Sequence, residues 1–141
     1  MKGYAVSLAA LAVALAAAPA LAAGPDDAKG LWMTPEKDGV MRFESCPDKA
    51  GALCGTLVWE DDAGTPGDHC GVRIVELARF DGEAWRDGWV LDPRDNQRYS
   101  GMVRVVDGVL QLRGFFGLEL LGQTEEMTRV KAPPPKPVCK L

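Results

Sequence analysis

Short segments in which apolar and polar residues alternate, separated by turn-forming residues, are the feature that most constrains the fold of this chain. In residues 53–60, for example, Leu53, Leu57 and Trp59 fall on one side of an extended chain. Alternation with a period of two is typical of a strand buried on one face. About eight such segments lie between residue 30 and the C-terminal tail, and none has helical periodicity. We therefore expect an all-β domain that closes as a barrel or a sandwich.

The residues of the predicted turns and the glycines inside the predicted strands favour a barrel over a sandwich. The strongest hairpin signal is Asp107-Gly108, because this dipeptide accepts the positive φ angles of a type I′ turn. Gly88, Gly101 and Gly114 fall inside predicted strands, where glycine lets a strand bend or coil. The predicted strands are 30–33, 40–44, 53–60, 71–80, 85–91, 99–106, 109–116 and 120–130. The expected fold is a single small antiparallel up-and-down β-barrel of about eight strands.

The N-terminus has the pattern of a cleaved signal helix. Met1-Lys2 is a short basic region, an alanine-rich apolar run extends to Ala18, and Ala20-Leu21-Ala22 is a small-residue cleavage site. A retained membrane anchor is the alternative, but alanine is only weakly apolar and the cleavage site suits a peptidase. We therefore expect export to the periplasm or the cell exterior, with no stable membrane span after cleavage.

Three regions are expected. Residues 1–22 form the signal peptide, residues 23–131 the β-barrel domain, and residues 132–141 a Pro-rich C-terminal tail with extended polyproline structure. The polar lead-in from Gly24 to Lys29 has no apolar periodicity, so we expect it to be disordered.

The charge pattern argues against nucleic-acid binding. The 141-residue chain carries a net charge of −4, and its acidic and basic residues are interspersed. Neutralising phosphates requires a basic face, so no nucleic-acid partner is expected.

The four cysteines predict disulfides, since an even number in a small exported domain is typical of a disulfide framework. Three pairings are open, and we favour Cys46–Cys54 with Cys70–Cys139. The first pair brackets a turn, and the second would hold the Pro-rich tail. A metal site with His69 is the alternative, but the spacings match no zinc pattern. We expect no metal and no cofactor.

No catalytic constellation is evident. His69 is the only histidine, and it lies in a polar loop beside Cys70. Asp92, Asp95 and Asn96 contain oxygen ligands for calcium, but their spacing is that of a turn. Adjacent carboxylates such as Glu125-Glu126 would point to opposite faces of a strand, so they do not form a shared acid/base site. An enzyme is the least favoured interpretation.

Aromatic residues are the most informative candidates for ligand binding. An eight-stranded barrel is either filled by side chains or holds one small ligand, and the sequence leaves both open. Trp89 and Phe116 are the expected apolar walls of a pocket. Tyr99 and Arg113, on neighbouring strands of the predicted hairpin, are the expected polar groups.

A succession of short motifs carries a family resemblance. The motifs are Gly30-x-Trp32-x-Thr34-Pro35, Leu53-Cys54-Gly55, Asp92-Pro93, Tyr99-x-Gly101, Leu112-Arg113-Gly114-Phe115, Leu121-Gly122 and Thr128-Arg129. Together they resemble the bacterial exported family catalogued as domain of unknown function 2147. The resemblance implies a lipocalin-like small β-barrel with no established activity. In such barrels a Gly-x-Trp start and an Arg finish close the structure, so Arg129 should stack over Trp32 beside Gly30.

Two functional hypotheses lead. The first is a binding module for a small apolar or amphipathic molecule of the cell envelope. The alternative is a structural or protein-interaction domain without a ligand cavity, in which the Pro-rich tail docks to a partner protein of unknown identity. A cavity in the barrel favours the first hypothesis, and a filled interior with an exposed apolar patch favours the second.

Overall fold

The computed structural model describes residues 23–141, together with Gly3, Ala14, Ala16 and Ala17. The predicted signal peptide, residues 1–22, otherwise lies outside the described residues. Within the described part of the chain, no helix is both long enough and apolar enough to cross a membrane.

Eight antiparallel strands form a closed barrel in which every strand pairs with its neighbours in sequence and the last pairs with the first. The strands are β1 (Gly30–Met33), β2 (Gly39–Ser45), β3 (Leu53–Glu60), β4 (Arg73–Phe80), β5 (Trp85–Asp92), β6 (Gln97–Val106), β7 (Val109–Phe115) and β8 (Gln123–Val130). The predicted all-β up-and-down barrel is confirmed. Closure leaves no unpaired sheet edge, which removes the usual site of strand-to-strand aggregation.

Two predicted strands begin later than expected, β4 by two residues and β8 by three. The prediction placed a strand from residue 120, but Glu119–Leu121 form a 3-10 turn and β8 starts at Gln123. Gly117, with φ of 69°, turns the chain out of β7. The guanidinium of Arg113 then donates to the carbonyl oxygens of Glu119 and Leu120, at 2.8 and 3.1 Å, and these contacts hold the turn.

The barrel is filled at one end, which we name the closed end. This end carries the connections 46–52, 81–84 and 107–108 and the start of β1. Its interior is packed with large side chains that solvent does not reach, among them Trp32, Phe43, Leu53, Leu77, Val103 and Leu110. Burial of such side chains contributes about 1.5–3 kcal/mol each, so this half of the barrel carries much of the stability.

The closure predicted from Gly30, Trp32 and Arg129 is present. The Arg129 guanidinium lies 4.1 Å from the centre of the Trp32 ring. Gly30 has φ of 125°, and a side chain there would lie 2.6 Å from Arg129 Nη1, so glycine is required. Arg129 and Trp32 lie opposite each other on paired strands, which places the stack at the seam of the barrel.

Residues 24–29, expected to be disordered, instead cap the closed end. Arg129 donates to the carbonyl oxygens of Lys29 and Asp27 at 2.9 and 2.6 Å. Trp32 Nε1 donates to Ala28 at 2.8 Å, and Trp85 Nε1 donates to Pro25 at 3.1 Å. The prediction of disorder was wrong because hydrogen bonds from side chains hold this segment, two of the donors, Trp85 and Arg129, lying far along the chain, and local periodicity does not detect such contacts.

Both disulfides have the favoured pairing. Cys46 bonds Cys54 with a Cα–Cα distance of 4.9 Å, and Cys70 bonds Cys139 with a distance of 5.4 Å. The second bond fastens the Pro-rich tail to the barrel, where Trp59 Nε1 also donates to the Pro137 carbonyl at 2.9 Å. The tail is therefore packed on its own barrel and does not extend freely toward a partner.

Candidate functional site

The opposite end of the barrel, which we name the open end, holds the candidate site. In an up-and-down barrel alternate connections lie at the same end, so four loops meet here. They are residues 34–38, 61–72, 93–96 and 116–122.

A cavity of about 780 Å³ opens to solvent between these loops. Its volume lies within the range of roughly 300–1,000 Å³ that is usual for small-molecule sites. Inward-facing side chains of seven strands, β2 to β8, form its apolar floor. They are Met41, Leu57, Ile74, Val90, Tyr99, Leu112 and Met127. The interior is thus filled at the closed end and hollow at the open end.

Acidic side chains surround the mouth of this cavity. The lining includes seven carboxylates, but Arg94 is its only lysine or arginine. These carboxylates, which we call the acidic mouth, belong to Glu36, Asp38, Glu60, Asp61, Asp62, Asp92 and Glu125. They come from loops and strand ends around the opening, so the mouth is strongly electronegative while the floor is apolar.

Three of these carboxylates have partners. Asp92 accepts from Arg94 Nε and Nη2 at 3.0 and 2.8 Å, so the charge of Arg94 is already compensated. Glu60 accepts the backbone N–H of His69 at 2.5 Å, and His69 Nδ1 lies 3.3 Å from its other oxygen. Asp38 accepts the hydroxyl of Thr34 at 2.7 Å. Within residues 23–141, no lysine or arginine nitrogen lies within 4.0 Å of the carboxylate of Glu36, Asp61, Asp62 or Glu125.

Two mouth carboxyls have shifted pKa values of opposite sign. Partial desolvation raises the pKa of Glu125, although its side chain still reaches solvent; the negative charge of Glu36 raises this pKa further, and Arg94 opposes the change. The hydrogen bond from Arg94 lowers the pKa of Asp92. The surroundings of Glu125 therefore disfavour its ionised form, whereas those of Asp92 stabilise the ionised form.

Tyr99 is the one predicted ligand-binding residue that lines the cavity. Phe116 packs against it, with 4.5 Å between ring centroids, but its side chain is 62% exposed and does not line the cavity. Phe116 follows the end of β7 and belongs to the loop 116–122, so it lies beside the opening and is not a wall of the pocket.

Trp89 and Arg113 lie outside the barrel. A β-bulge between Trp85 and Trp89, with Asp87 at φ of 62°, reverses the alternation of β5, so Trp85 is buried while Trp89 stacks under Arg98 on the outer face. Arg113 pairs with Met102, and in this register its side chain points away from the face that carries Tyr99. Neither residue borders the cavity, so its geometry gives no support to their predicted ligand contacts.

The acidic mouth was not predicted from the sequence, where Glu125-Glu126 was considered only as a pair of adjacent carboxylates on opposite faces of a strand. A signal was present, because acidic residues occur in or next to the alternate connections that an up-and-down barrel brings to one end. Glu125 lines the cavity and its neighbour Glu126 does not, as expected for adjacent residues of a strand.

Two clusters of potential metal ligands occur within the described residues, but each depends on a cysteine that is already bonded. Cys46 and Cys54, with Asp48, form the first, and Cys70, with Glu60 and Asp68, forms the second. A disulfide sulfur is not a thiolate, and thiolate is the form that binds metal. These clusters therefore provide no metal centre. Asp92 and Asp95 bind the backbone N–H groups of Arg94 and Gln97, which agrees with a turn and not with calcium coordination.

Comparisons with known proteins give two matches. The sequence profile described as "Uncharacterized protein conserved in bacteria (DUF2147)" matches residues 30–129. Among solved structures, the barrel resembles protein HP1028 from the human pathogen Helicobacter pylori, which is described as belonging to the lipocalin family. The TM-score is 0.55 and the identity is 14%, over 74% of this chain and 83% of that chain. No curated protein matches the sequence. At this identity the structural likeness concerns the fold alone.

Proposed function

This chain belongs to the DUF2147 family, and we propose that it is a non-catalytic binding protein that holds one small amphipathic molecule in the open-end cavity. The apolar part of the ligand lies against the floor formed by residues such as Met41, Leu112 and Met127. Its polar part remains at the mouth, in contact with solvent. Tyr99 supplies an aromatic wall with one hydroxyl group.

The observation that carries this proposal is the division of the barrel interior. The cavity of about 780 Å³ has an apolar floor that side chains would cover if the domain were purely structural, as they do at the closed end. Apolar surface that stays accessible to water forgoes about 25 cal/mol of stabilisation for each Å². A bound apolar group would offset that cost, which supports a binding role over a purely structural one.

The proposed location is the periplasm or the cell exterior. The signal-peptide pattern of residues 1–22 supports export, and two disulfides fit an oxidising compartment. No nucleic-acid partner is proposed, because the accessible cavity is acidic and would repel phosphate.

Methionine methyl groups provide a direct test. Met41 and Met127 line the cavity, whereas Met33 and Met102 do not. Protein labelled with ¹³C in its methionine methyl groups is titrated with dodecyl maltoside below its micelle concentration, and the four signals are followed by NMR. Saturable shifts of the Met41 and Met127 signals, with those of Met33 and Met102 unchanged, support the proposal.

A blocking variant completes the experiment. Leu112→Trp adds volume inside the cavity, and Val109→Trp adds the same side chain to the opposite face of β7, outside it. We expect Leu112→Trp to weaken binding at least tenfold, an effect of about 1.4 kcal/mol, and Val109→Trp to leave it unchanged. If no amphiphile moves the Met41 and Met127 signals, or if both variants behave alike, the cavity is not the binding site.

A second function is favoured by the loop 116–122, which exposes an apolar cluster beside the mouth. Phe116, Leu118, Leu120 and Leu121 are each between 62% and 86% exposed. Contiguous exposed apolar side chains often mark protein-interaction sites. Under this alternative, cross-linking in the cell envelope should detect a protein partner. Replacing Leu118, Leu120 and Leu121 with serine should abolish that cross-link and leave amphiphile binding intact.

A further inference from the structure

The charge of the mouth restricts the ligand. Seven carboxylates line the cavity together with a single arginine, although the whole chain contains 16 basic residues against 20 acidic ones. Lys37 also lies in an open-end loop, but Arg94 is the only lysine or arginine that lines the cavity itself. An ion that enters the cavity leaves bulk water, and weaker screening there makes the surrounding charges matter more.

We propose that the ligand is a cationic amphiphile, with an ammonium group held at the acidic mouth and an apolar chain on the floor of the cavity. This inference rests on the proposed function and adds the charge of the ligand to it. The ammonium group lies among the carboxylates of Glu36, Asp61, Asp62 and Glu125, and Tyr99 presents an aromatic ring in the same cavity.

The pairing pattern argues against an anionic head group. Arg94 is the residue that would receive a carboxylate or phosphate, but its guanidinium is occupied by two hydrogen bonds to Asp92. An anion could use only the guanidinium N–H groups that Asp92 leaves free, on an arginine whose charge Asp92 already compensates, and it would face the remaining carboxylates. By contrast, four mouth carboxylates have no lysine or arginine within ion-pair distance in residues 23–141, so a cation meets them without displacing a partner.

Repulsion between the carboxylates of the acidic mouth also favours a cationic head group. The pKa of Glu125 is raised mainly by burial and then by the charge of Glu36, and Asp38 and Asp92 contribute in the same direction. These like charges disfavour one another in the empty cavity, and an ammonium group placed among them would relieve that repulsion.

A metal ion fits the same carboxylates poorly. Compact metal sites bring several ligand atoms close together around one ion. Within residues 23–141, the groups of three or more potential ligand atoms lying within 4.8 Å of one another do not include Glu36, Asp61, Asp62 or Glu125. The mouth surrounds the opening diffusely, which suits a bulky ammonium group better than a small ion.

Three probes with the same alkyl chain test the charge preference. Dodecyltrimethylammonium, dodecanoate and dodecyl maltoside are titrated below their micelle concentrations by calorimetry, with the Met41 and Met127 methyl signals confirming the site. We expect the ammonium probe to bind at least tenfold more tightly than dodecanoate. The ratio should fall as salt rises from about 20 to 300 mM, since salt screens exposed charges.

Matched variants distinguish the effect of the mouth carboxylates from the effect of the protein's net charge. Glu36→Gln/Glu125→Gln removes two charges from the mouth, and Glu44→Gln/Glu126→Gln removes two charges from residues of β2 and β8 that do not line the cavity. We expect the first variant to reduce the preference for ammonium over dodecanoate about tenfold and the second to change it less than twofold.

The outcomes distinguish the two proposals. If none of the three probes shifts the Met41 and Met127 signals, the proposed function fails. If maltoside binds in the cavity but dodecanoate binds as well as the ammonium probe, only the charge inference is overturned. Equal effects of the two double variants would also overturn it, as would displacement of the ammonium probe by equimolar calcium.

Discussion

Replacement of Arg129 by alanine tests how the barrel is closed. Arg129 joins three parts of the molecule, since it lies on β8, stacks on Trp32 of β1 and donates to two carbonyl oxygens of the cap formed by residues 24–29. Arg129→Ala therefore removes the contact between the cap and the seam of the barrel, although the β1–β8 backbone pairing is unaffected.

The expected cost follows from these contacts. A guanidinium stacked on an indole contributes about 0.5–1 kcal/mol at an exposed site. Each hydrogen bond to a backbone carbonyl adds about 1 kcal/mol, because the side chain is exposed and water competes for the carbonyl. The free energy of unfolding should thus fall by about 2–3 kcal/mol. For a domain of this size, that corresponds to a fall in Tm of roughly 8–12 °C.

Arg98→Ala is the matched control. The Arg98 guanidinium also lies 4.1 Å from an indole ring, that of Trp89, but it donates no hydrogen bond to any residue in the range 23–141. Urea denaturation of both variants should show a loss of about 0.5–1 kcal/mol for Arg98→Ala, and hydrogen exchange should show faster exchange of the Asp27 and Lys29 amides only in Arg129→Ala. If the two variants lose equal stability, the cap contacts contribute nothing and the reasoning is refuted.

Three further predictions concern the bulge, the tail and the mouth. Gly88→Ala would place a Cβ atom 1.8 Å from a backbone oxygen, so unfolding studies should show a loss of about 3 kcal/mol or more, whereas Gly67→Ala meets open space and should be neutral within about 0.5 kcal/mol. Cys70→Ser/Cys139→Ser opens a long loop and should cost about 4 kcal/mol in thermal unfolding; a loss below about 1 kcal/mol would contradict the entropic argument. Folding raises the pKa of Glu125, so its ionisation opposes folding as the pH rises through that pKa. Glu125→Gln should therefore stabilise the protein near pH 7 and not near pH 3, and equal effects at both pH values would disprove the linkage.

The fold was predictable because its signals are local. The alternation in β3 and the Asp107-Gly108 turn each specify their own segment, and neighbouring strands joined by short turns pair with one another. The two-residue turn fixes Val106 opposite Val109, and the rest of the register of β6 and β7 follows.

That register also contained information about the site that the prediction did not use. Counting from the turn places Arg113 opposite Met102, so Arg113 and Tyr99 must lie on opposite faces of the sheet. The prediction grouped them because they lie on neighbouring strands. The orientation of Trp89 could not be predicted in this way, because it depends on the bulge at Asp87. There a non-glycine residue adopts a positive φ, which the sequence pattern does not predict.

The acidic mouth could be anticipated only after the topology was known. Glu36 and Glu125 are far apart in sequence, and each alone resembles an ordinary solvated carboxylate. Their proximity arises because β1–β2 and β7–β8 are both connected at the open end. The charge of a barrel mouth is thus a property of alternate loops taken together, and no single sequence window displays it.

The two ends of the barrel contribute differently to stability. At the open end, repulsion between the like charges opposes folding, and so does the apolar surface that stays accessible to water. Contacts elsewhere must compensate for these two costs. The closed end supplies these contacts through its buried aromatic core, the stacked Arg129 and the cap, while the disulfide at Cys70 ties the longest loop of the open end to the tail. A ligand with a positive charge and an apolar chain would reduce both the repulsion and the exposed apolar surface. Under the proposed function, the same features that weaken the open end should therefore make that class of ligand bind more tightly than neutral or anionic amphiphiles.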